Sequence, residues 1–97
     1  MSYTLHPEAE AELTERAVYL AEKATQKVAH AFLDEFSRIA AFVELNPSLG
    51  TPEIGGLRSF PSLQFKFSLI YFATESGPLI LAVAPHRREP GYWKKRL

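Results

Sequence analysis

One segment of the chain, residues 25–45, constrains the fold most strongly. Its apolar side chains recur at helical spacing and form one wide stripe, with charged side chains opposite. Thr25 can cap the start of this helix, and Asn46 followed by Pro47 ends it, because a residue before proline disfavours helical backbone. A stripe this wide and aromatic needs a sheet to cover it. The stripe comprises Val28, Ala29, Phe32, Leu33, Phe36, Ile39, Ala40 and Val43.

A second helix is predicted directly before this one, from Pro7 to about Lys23. Proline suits the first turn of a helix, and the glutamates at positions 8, 10 and 12 complement its positive end. Apolar residues follow helical spacing from Ala9 to Ala24. Because so few residues separate the two helices, we expect an antiparallel helical hairpin.

The remaining apolar runs predict strands. Residues 2–6 favour a short N-terminal strand, and three further strands are predicted at 57–60, 63–73 and 79–84, the first ended by Pro61 and the last by Pro85. The sequence therefore predicts one α+β domain over residues 1–97: an N-terminal strand, the helical hairpin, then a three-stranded antiparallel meander. The hairpin would cover one sheet face and leave uncovered the face that carries Lys66 and Ser68.

Composition limits the chemistry that this chain can perform. The chain has 97 residues and no cysteine, which excludes disulfides, thiolate catalysis and cysteine-bound zinc. The three histidines are dispersed, so we expect no metal site, and no phosphate-loop or other cofactor motif occurs. The N-terminus lacks the features of a signal peptide and no apolar run is long enough to span a membrane, so we expect a cytoplasmic protein.

Charge is distributed unevenly along the chain. Four basic and nine acidic side chains leave residues 1–57 with a charge of −5, whereas seven basic and two acidic ones leave residues 58–97 with +5. A basic half favours a polyanionic partner, since like charges on one face attract phosphate-bearing ligands. A solvated surface with scattered lysines is the alternative interpretation.

The stretch that follows the last predicted strand, residues 86–93, concentrates polar and aromatic side chains. His86 has a suitable intrinsic pKa for proton transfer, and Tyr92 could stack on a base or donate a proton. Cations that could hold a phosphate are Arg58, Lys66, Arg87 and Arg88. The alternatives are that His86 is an ordinary surface histidine and that Tyr92 and Trp93 fold back to seal the edge of the core.

Several segments of the chain together resemble the RelE/ParE superfamily of small bacterial toxins. They are GLRSFP (residues 56–61), LIYF (69–72), LAVAPHRREPGYW (81–93) and NPSLG (46–50) after the helical hairpin. The ending from His86 to Trp93 is similar to the ParE-like, plasmid-stabilisation branch rather than to the RelE branch. The resemblance implies the toxin half of a two-gene toxin–antitoxin module. Such a toxin is held inactive in a hetero-oligomer by its cognate antitoxin, whose extended or helical segment wraps it.

The resemblance implies two alternative activities. A ParE-like toxin would poison DNA gyrase, with the basic C-terminal end as the target-binding surface: Arg88, Trp93, Lys94, Lys95 and Arg96. A RelE-like toxin would cut messenger RNA on the ribosome without a metal, with a catalytic set of His86, Arg58, Lys66, Arg87 and Tyr92. Nuclease members commonly carry an arginine where this chain has Ser68, and Lys66 is then the replacement. A degenerate member that only titrates an antitoxin is a third possibility. The antitoxin would bind leftover surface such as Tyr19, Phe42 or Leu45.

Overall fold

The computed structural model describes residues 3–96 of the chain. Two helices pack on one face of a five-stranded sheet, which confirms the α+β class. The helices are α1 (Pro7–Lys23) and α2 (Gln26–Leu45), and the strands are β1 (Thr4–Leu5), β2 (Thr51–Pro52), β3 (Arg58–Ser62), β4 (Phe67–Thr74) and β5 (Gly77–Pro85). Short 3₁₀ helices lie at Ile54–Gly56 and Tyr92–Arg96. Ser2, where the first strand was predicted to begin, lies outside the described residues.

Both helices begin at side-chain caps. The Thr25 hydroxyl accepts a hydrogen bond from the Val28 N–H at 3.1 Å, as predicted. At α1 the cap is His6, whose Nδ1 atom accepts from the Glu8 N–H at 3.1 Å. The predicted ends of α1 and the predicted stop of α2 before Asn46 are also confirmed. Within residues 3–96, no helix combines the length and the hydropathy that crossing a membrane requires.

The sheet has the order β1-β5-β4-β3-β2, with β1 parallel to β5 and the other pairs antiparallel. Strand β2 was not predicted, because Thr51 and Pro52 lie in a stretch dense in proline and glycine. The prediction that Pro61 ends its strand is wrong, since Pro61 pairs with Ser68 inside β3. Strand β2 pairs only with Arg58 and Ser59, so Pro61 lies where the outer edge of β3 needs no N–H donor.

The long strand also begins later than predicted, at Phe67 instead of Leu63. Residues 63–66 form the turn between β3 and β4, and Lys66 adopts a left-handed backbone conformation with a φ of 58°. Lys66 therefore does not share an open sheet face with Ser68. The alternation of side chains that predicted this placement applies only within a strand.

Apolar clusters lie on both faces of the sheet. On the helix face, residues of β4 and β5 pack against α2, with Phe32, Phe36 and Ile39 almost wholly buried. The other face was predicted to be uncovered, and this is wrong. Trp93 is only 5% exposed and packs there with the C-terminal 3₁₀ helix. It covers Leu57, Ile70, Leu81, Ala82 and Ala84. Trp93 therefore folds back and seals the core, as the alternative interpretation predicted.

Tyr71 fastens the loop between α2 and β3 to the sheet. Its hydroxyl donates to the Pro47 carbonyl at 2.7 Å and accepts from the Gly50 N–H at 2.9 Å. A Cβ atom at Gly50 would lie 2.8 Å from that hydroxyl, so only glycine fits. The Arg58 guanidinium donates to the Gly50 carbonyl at 2.8 Å. Two side chains, those of Tyr71 and Arg58, therefore hold the backbone of this loop.

We expect Tyr71→Phe to lower the free energy of unfolding by about 1–3 kcal/mol, because the buried Gly50 N–H would lose its acceptor. Urea unfolding followed by circular dichroism measures this loss. Tyr19→Phe is the matched control, since the Tyr19 side chain is half exposed and should tolerate the change. Equal stability of the two variants would show that the Tyr71 hydroxyl does not hold the loop.

Candidate functional site

Basic side chains collect at one end of the sheet, where β4 begins and β5 ends. The backbone brings them together, because the His86 N–H donates to the Lys66 carbonyl at 2.9 Å. Lys66, His86, Arg87 and Arg88 are all exposed at this end. Lys66 has a positive φ, which is costlier for lysine than for glycine, so the turn carries a cationic side chain at a position that the backbone alone would favour for glycine.

Ser68 holds the His86 ring in place. The Ser68 Oγ and His86 Nε2 atoms share a hydrogen bond of 3.0 Å. Ser68 pairs with Ala84 across β4 and β5, so His86, two residues further on, reaches the same face. A cavity of about 310 Å³ lies beside this pair, and Glu53, Ser59 and Lys94 also line it. Glu53 and Ser59, which hydrogen-bond each other at 2.9 Å, were not predicted.

Arg58 lies away from His86. It pairs with Tyr71, whose side chain packs on the helix face, and its guanidinium binds the carbonyls of the loop at Ser48 and Gly50. Ser68 and His86 lie on the other face. The structure therefore brings together Lys66, His86 and Arg87 of the proposed catalytic set, but not Arg58.

Tyr92, the last member of that set, binds Glu12, which was not among the predicted site residues. Its hydroxyl donates to Glu12 Oε2 at 2.5 Å, and the Arg96 guanidinium donates to both oxygens of that carboxylate at 2.9 Å. The Val83 N–H donates to Glu12 Oε1 at 3.0 Å, and Arg88 lies 3.6 Å from Oε2. The Glu12 side chain is 12% exposed. The sequence offered one signal that Glu12 is partly buried, namely its position beside Leu13 on the apolar side of α1.

The contacts within the Glu12 cluster, as we call Glu12, Tyr92, Arg88 and Arg96, shift the pKa values of Glu12 and Tyr92. Burial opposes ionisation of Glu12, but the hydrogen bonds from Arg96, Tyr92 and the Val83 N–H outweigh it and lower the pKa of Glu12. Burial and the neighbouring Glu12 carboxylate raise the pKa of the Tyr92 phenol. Tyr92 is thus a neutral donor whose proton is already engaged by Glu12.

The residues predicted to bind a target divide into anchored and free ones. Trp93 is buried in the second face, and the Arg96 side chain is 7% exposed. The Arg88 guanidinium stacks on the Tyr92 ring, with its Cζ atom 3.7 Å from the ring centroid. Lys94 and Lys95 are exposed. Within residues 3–96, neither of these lysines forms an ion pair, and the same holds for Lys66 and Arg87.

A groove of about 750 Å³ opens between the helical hairpin and the basic end of the sheet. Its apolar lining includes Leu20, Val28, Phe32 and Phe65, and its charged lining includes Glu12, Glu15, Arg16, Lys66, Arg87 and Arg88. Tyr19, predicted as leftover surface, also lines this groove, whereas Phe42 and Leu45 do not. No group of three or more potential metal ligands occurs in residues 3–96.

The family model described as ParE toxin of type II toxin-antitoxin system, parDE, matches residues 3–90, so the chain belongs to the ParE toxin family. A solved structure titled "Chromosomal ParDE TA system from P. aeruginosa" is similar, with a TM-score of 0.73 at 16% identity. The match covers 88% of this chain and 95% of that one. No curated protein matches by sequence.

We expect Glu12→Gln to lower the free energy of unfolding by about 1–3 kcal/mol near neutral pH, because an amide cannot accept all the hydrogen bonds of the carboxylate. Since the pKa of folded Glu12 is lowered, its stabilisation is present at neutral pH and is lost as the pH falls through that pKa. The difference between wild type and variant should therefore shrink below about pH 5. Urea unfolding at a series of pH values measures it, and a difference that grows in acid would contradict the expectation.

Proposed function

We propose that this protein is a binding-type ParE toxin that inhibits DNA gyrase through its basic end and is neutralised by a cognate antitoxin in the cytoplasm. The observation that carries the proposal is a set of exposed cations, two at the basic end of the sheet and two in the C-terminal 3₁₀ helix. Lys66, Arg87, Lys94 and Lys95 have no ion-pair partner among residues 3–96, so their charge is available to a partner. Gyrase acts on DNA, and a cluster of unpaired cations is attracted to a polyanion or an acidic protein surface.

The contacts of the proposed catalytic set favour this function over the RelE-like nuclease. RNA cleavage without a metal needs cations and a proton donor beside the same phosphate. The Arg58 guanidinium is occupied by loop carbonyls on the helix face, and the Tyr92 proton is occupied by Glu12. His86 is left with Ser68 as its hydrogen-bond partner. The geometry thus supports binding by the basic end more strongly than chemistry there.

The groove beside the basic end is the proposed site for the antitoxin. Its apolar lining suits the apolar side of an amphipathic segment, and its charged lining suits polar residues of that segment. Because Arg87 and Arg88 line the groove and also belong to the basic end, a bound antitoxin would cover part of the target-binding surface. This overlap would give a direct physical basis for neutralisation.

A gyrase supercoiling assay with purified protein tests the proposal. We expect Lys94→Glu/Lys95→Glu to weaken inhibition about tenfold or more, because reversing two exposed charges at an interface costs roughly 1.4 kcal/mol or more. Lys23→Glu/Lys27→Glu is the matched control, with the same charge change at exposed positions near the turn of the helical hairpin. Deleting residues 92–97 should also remove toxicity, but the paired substitutions are sharper because the deletion also uncovers the second sheet face.

Inducible expression with mapping of RNA 5′ ends on ribosome-bound messages separates the alternatives. New cuts in messages with unaffected gyrase would contradict the proposal and support the nuclease. In that case His86→Ala should slow cleavage by about 10²–10⁴-fold, which is typical of a lost general acid or base. If expression causes no RNA cuts, no gyrase inhibition and no growth arrest, the protein is a degenerate member that only titrates an antitoxin.

A further inference from the structure

The C-terminal segment, residues 86–96, is attached to the rest of the protein mainly by side chains. Its first residue is tied by backbone to the turn before β4, through the His86 N–H and the Lys66 carbonyl. Beyond it, the Arg88 N–H reaches back to Pro85, and the Tyr92 and Lys94 N–H groups bind carbonyls of Glu89 and Gly91 within the segment. Among residues 3–96, no backbone hydrogen bond ties residues 89–96 to a helix or to another strand. The position of this segment is therefore decided by its side-chain contacts.

Those side-chain contacts converge on one carboxylate. Tyr92, Arg96 and Arg88 all bind Glu12, and Arg96 also approaches Glu8 at 3.6 Å. On the far side of the segment, Trp93 packs into the second sheet face. Apolar packing is not directional, whereas charged hydrogen bonds have a defined geometry. The Glu12 cluster thus orients the segment that Trp93 anchors.

Glu12 is itself fixed by the sheet. Strand β1 pairs with Leu79 and Ile80, and among residues 3–96 no other strand neighbours the edge of β5 beyond them. The Val83 N–H on this edge donates to Glu12 at 3.0 Å, and the Leu81 carbonyl accepts from Arg96 at 3.1 Å. The carboxylate and guanidinium therefore satisfy the open edge of β5 while they bind each other. This arrangement ties the segment to a rigid strand as well as to α1.

We propose that Glu12 is a positioning residue of the toxin: it holds the C-terminal segment so that Lys94 and Lys95 are presented to the target in one fixed orientation. The proposal rests on the proposed function in one respect, that these lysines contact the target. Both lysines lie between Trp93, which is buried, and Arg96, which binds Glu12. Loss of Glu12 would leave the charges present but their positions variable.

Trp93 is the only tryptophan of the chain, so its fluorescence reports on the segment directly. We expect Glu12→Gln to shift the emission of Trp93 to longer wavelength and to increase its quenching by acrylamide, with an unchanged far-ultraviolet circular dichroism spectrum. Glu22→Gln is the matched control, because it removes an equal charge from an exposed position of the same helix and should change neither signal. Glu12→Asp keeps the charge on a shorter side chain, so acrylamide should quench Trp93 less in this variant than in Glu12→Gln.

The functional measurement uses the same variants in the gyrase supercoiling assay. Glu12→Gln should lose inhibition by about as much as Lys94→Glu/Lys95→Glu, tenfold or more, and Glu12→Asp should recover part of it. Should Glu12→Gln fail to fold, Tyr92→Phe removes one donor to Glu12 and is expected to change both readouts in the same direction by a smaller amount.

The two readouts separate the inference from the proposed function. Unchanged quenching in Glu12→Gln would overturn the inference, and so would increased quenching with undiminished inhibition. If the wild-type protein does not inhibit gyrase but arrests growth, the proposed target is wrong, and growth arrest replaces supercoiling as the activity that Glu12→Gln must weaken. If the wild type does neither, presentation to a target is overturned, and the Trp93 signals then describe only the attachment of the segment.

Discussion

The sheet of this protein is apolar on both faces, and the two helices can cover only one of them. The α2 stripe with Phe32, Phe36 and Ile39 is buried against the first face. The second face carries Leu57, Ile70, Leu81, Ala82 and Ala84 and would be open to water without a further element. The C-terminal segment supplies that element and covers this face with Trp93. The need to bury the second face thus decides where the basic end of the chain lies.

A second constraint comes from the edge of β5. Because β1 pairs with two residues of β5, backbone groups at Leu81 and Val83 have no strand to bind within the described part of the chain, and an unpaired edge invites association with other chains. Glu12 and Arg96 occupy these groups with their side chains. The same contact joins the helical hairpin, the sheet edge and the C-terminal segment. A structural requirement of the sheet and the placement of the C-terminal segment are therefore met by one ion pair.

The structure shows which charges of the acidic and basic halves of the chain pair with each other. Part of the uneven charge is neutralised internally, since Arg88 and Arg96 of the basic half bind Glu12 and Glu8 of the acidic half. The cations that remain unpaired among residues 3–96 include Lys66, Arg87, Lys94 and Lys95 of the basic half. Net charge along the sequence could not separate these two groups. Lys66 and Arg87 line the groove, which places the proposed antitoxin site next to part of the proposed target site, so one surface can serve inhibition and its relief.

Local signals in the sequence determined the helices, the α+β class and the basic character of the C-terminal end. Thr25, Pro7 and the Asn46–Pro47 pair act through nearest neighbours, and periodicity reports burial directly, so these predictions needed no knowledge of distant contacts. Tertiary structure alone decided the rest. Pro61 could stay in β3 because β2 is short, and Trp93 turned onto the second face because that face is apolar. Arg58 faced away from His86 because its strand pairs it with Tyr71, and Glu12 met Tyr92 and Arg96 across about 80 residues of chain. Contacts at such separation depend on how the strands are ordered, which the spacing of residues along the chain does not encode.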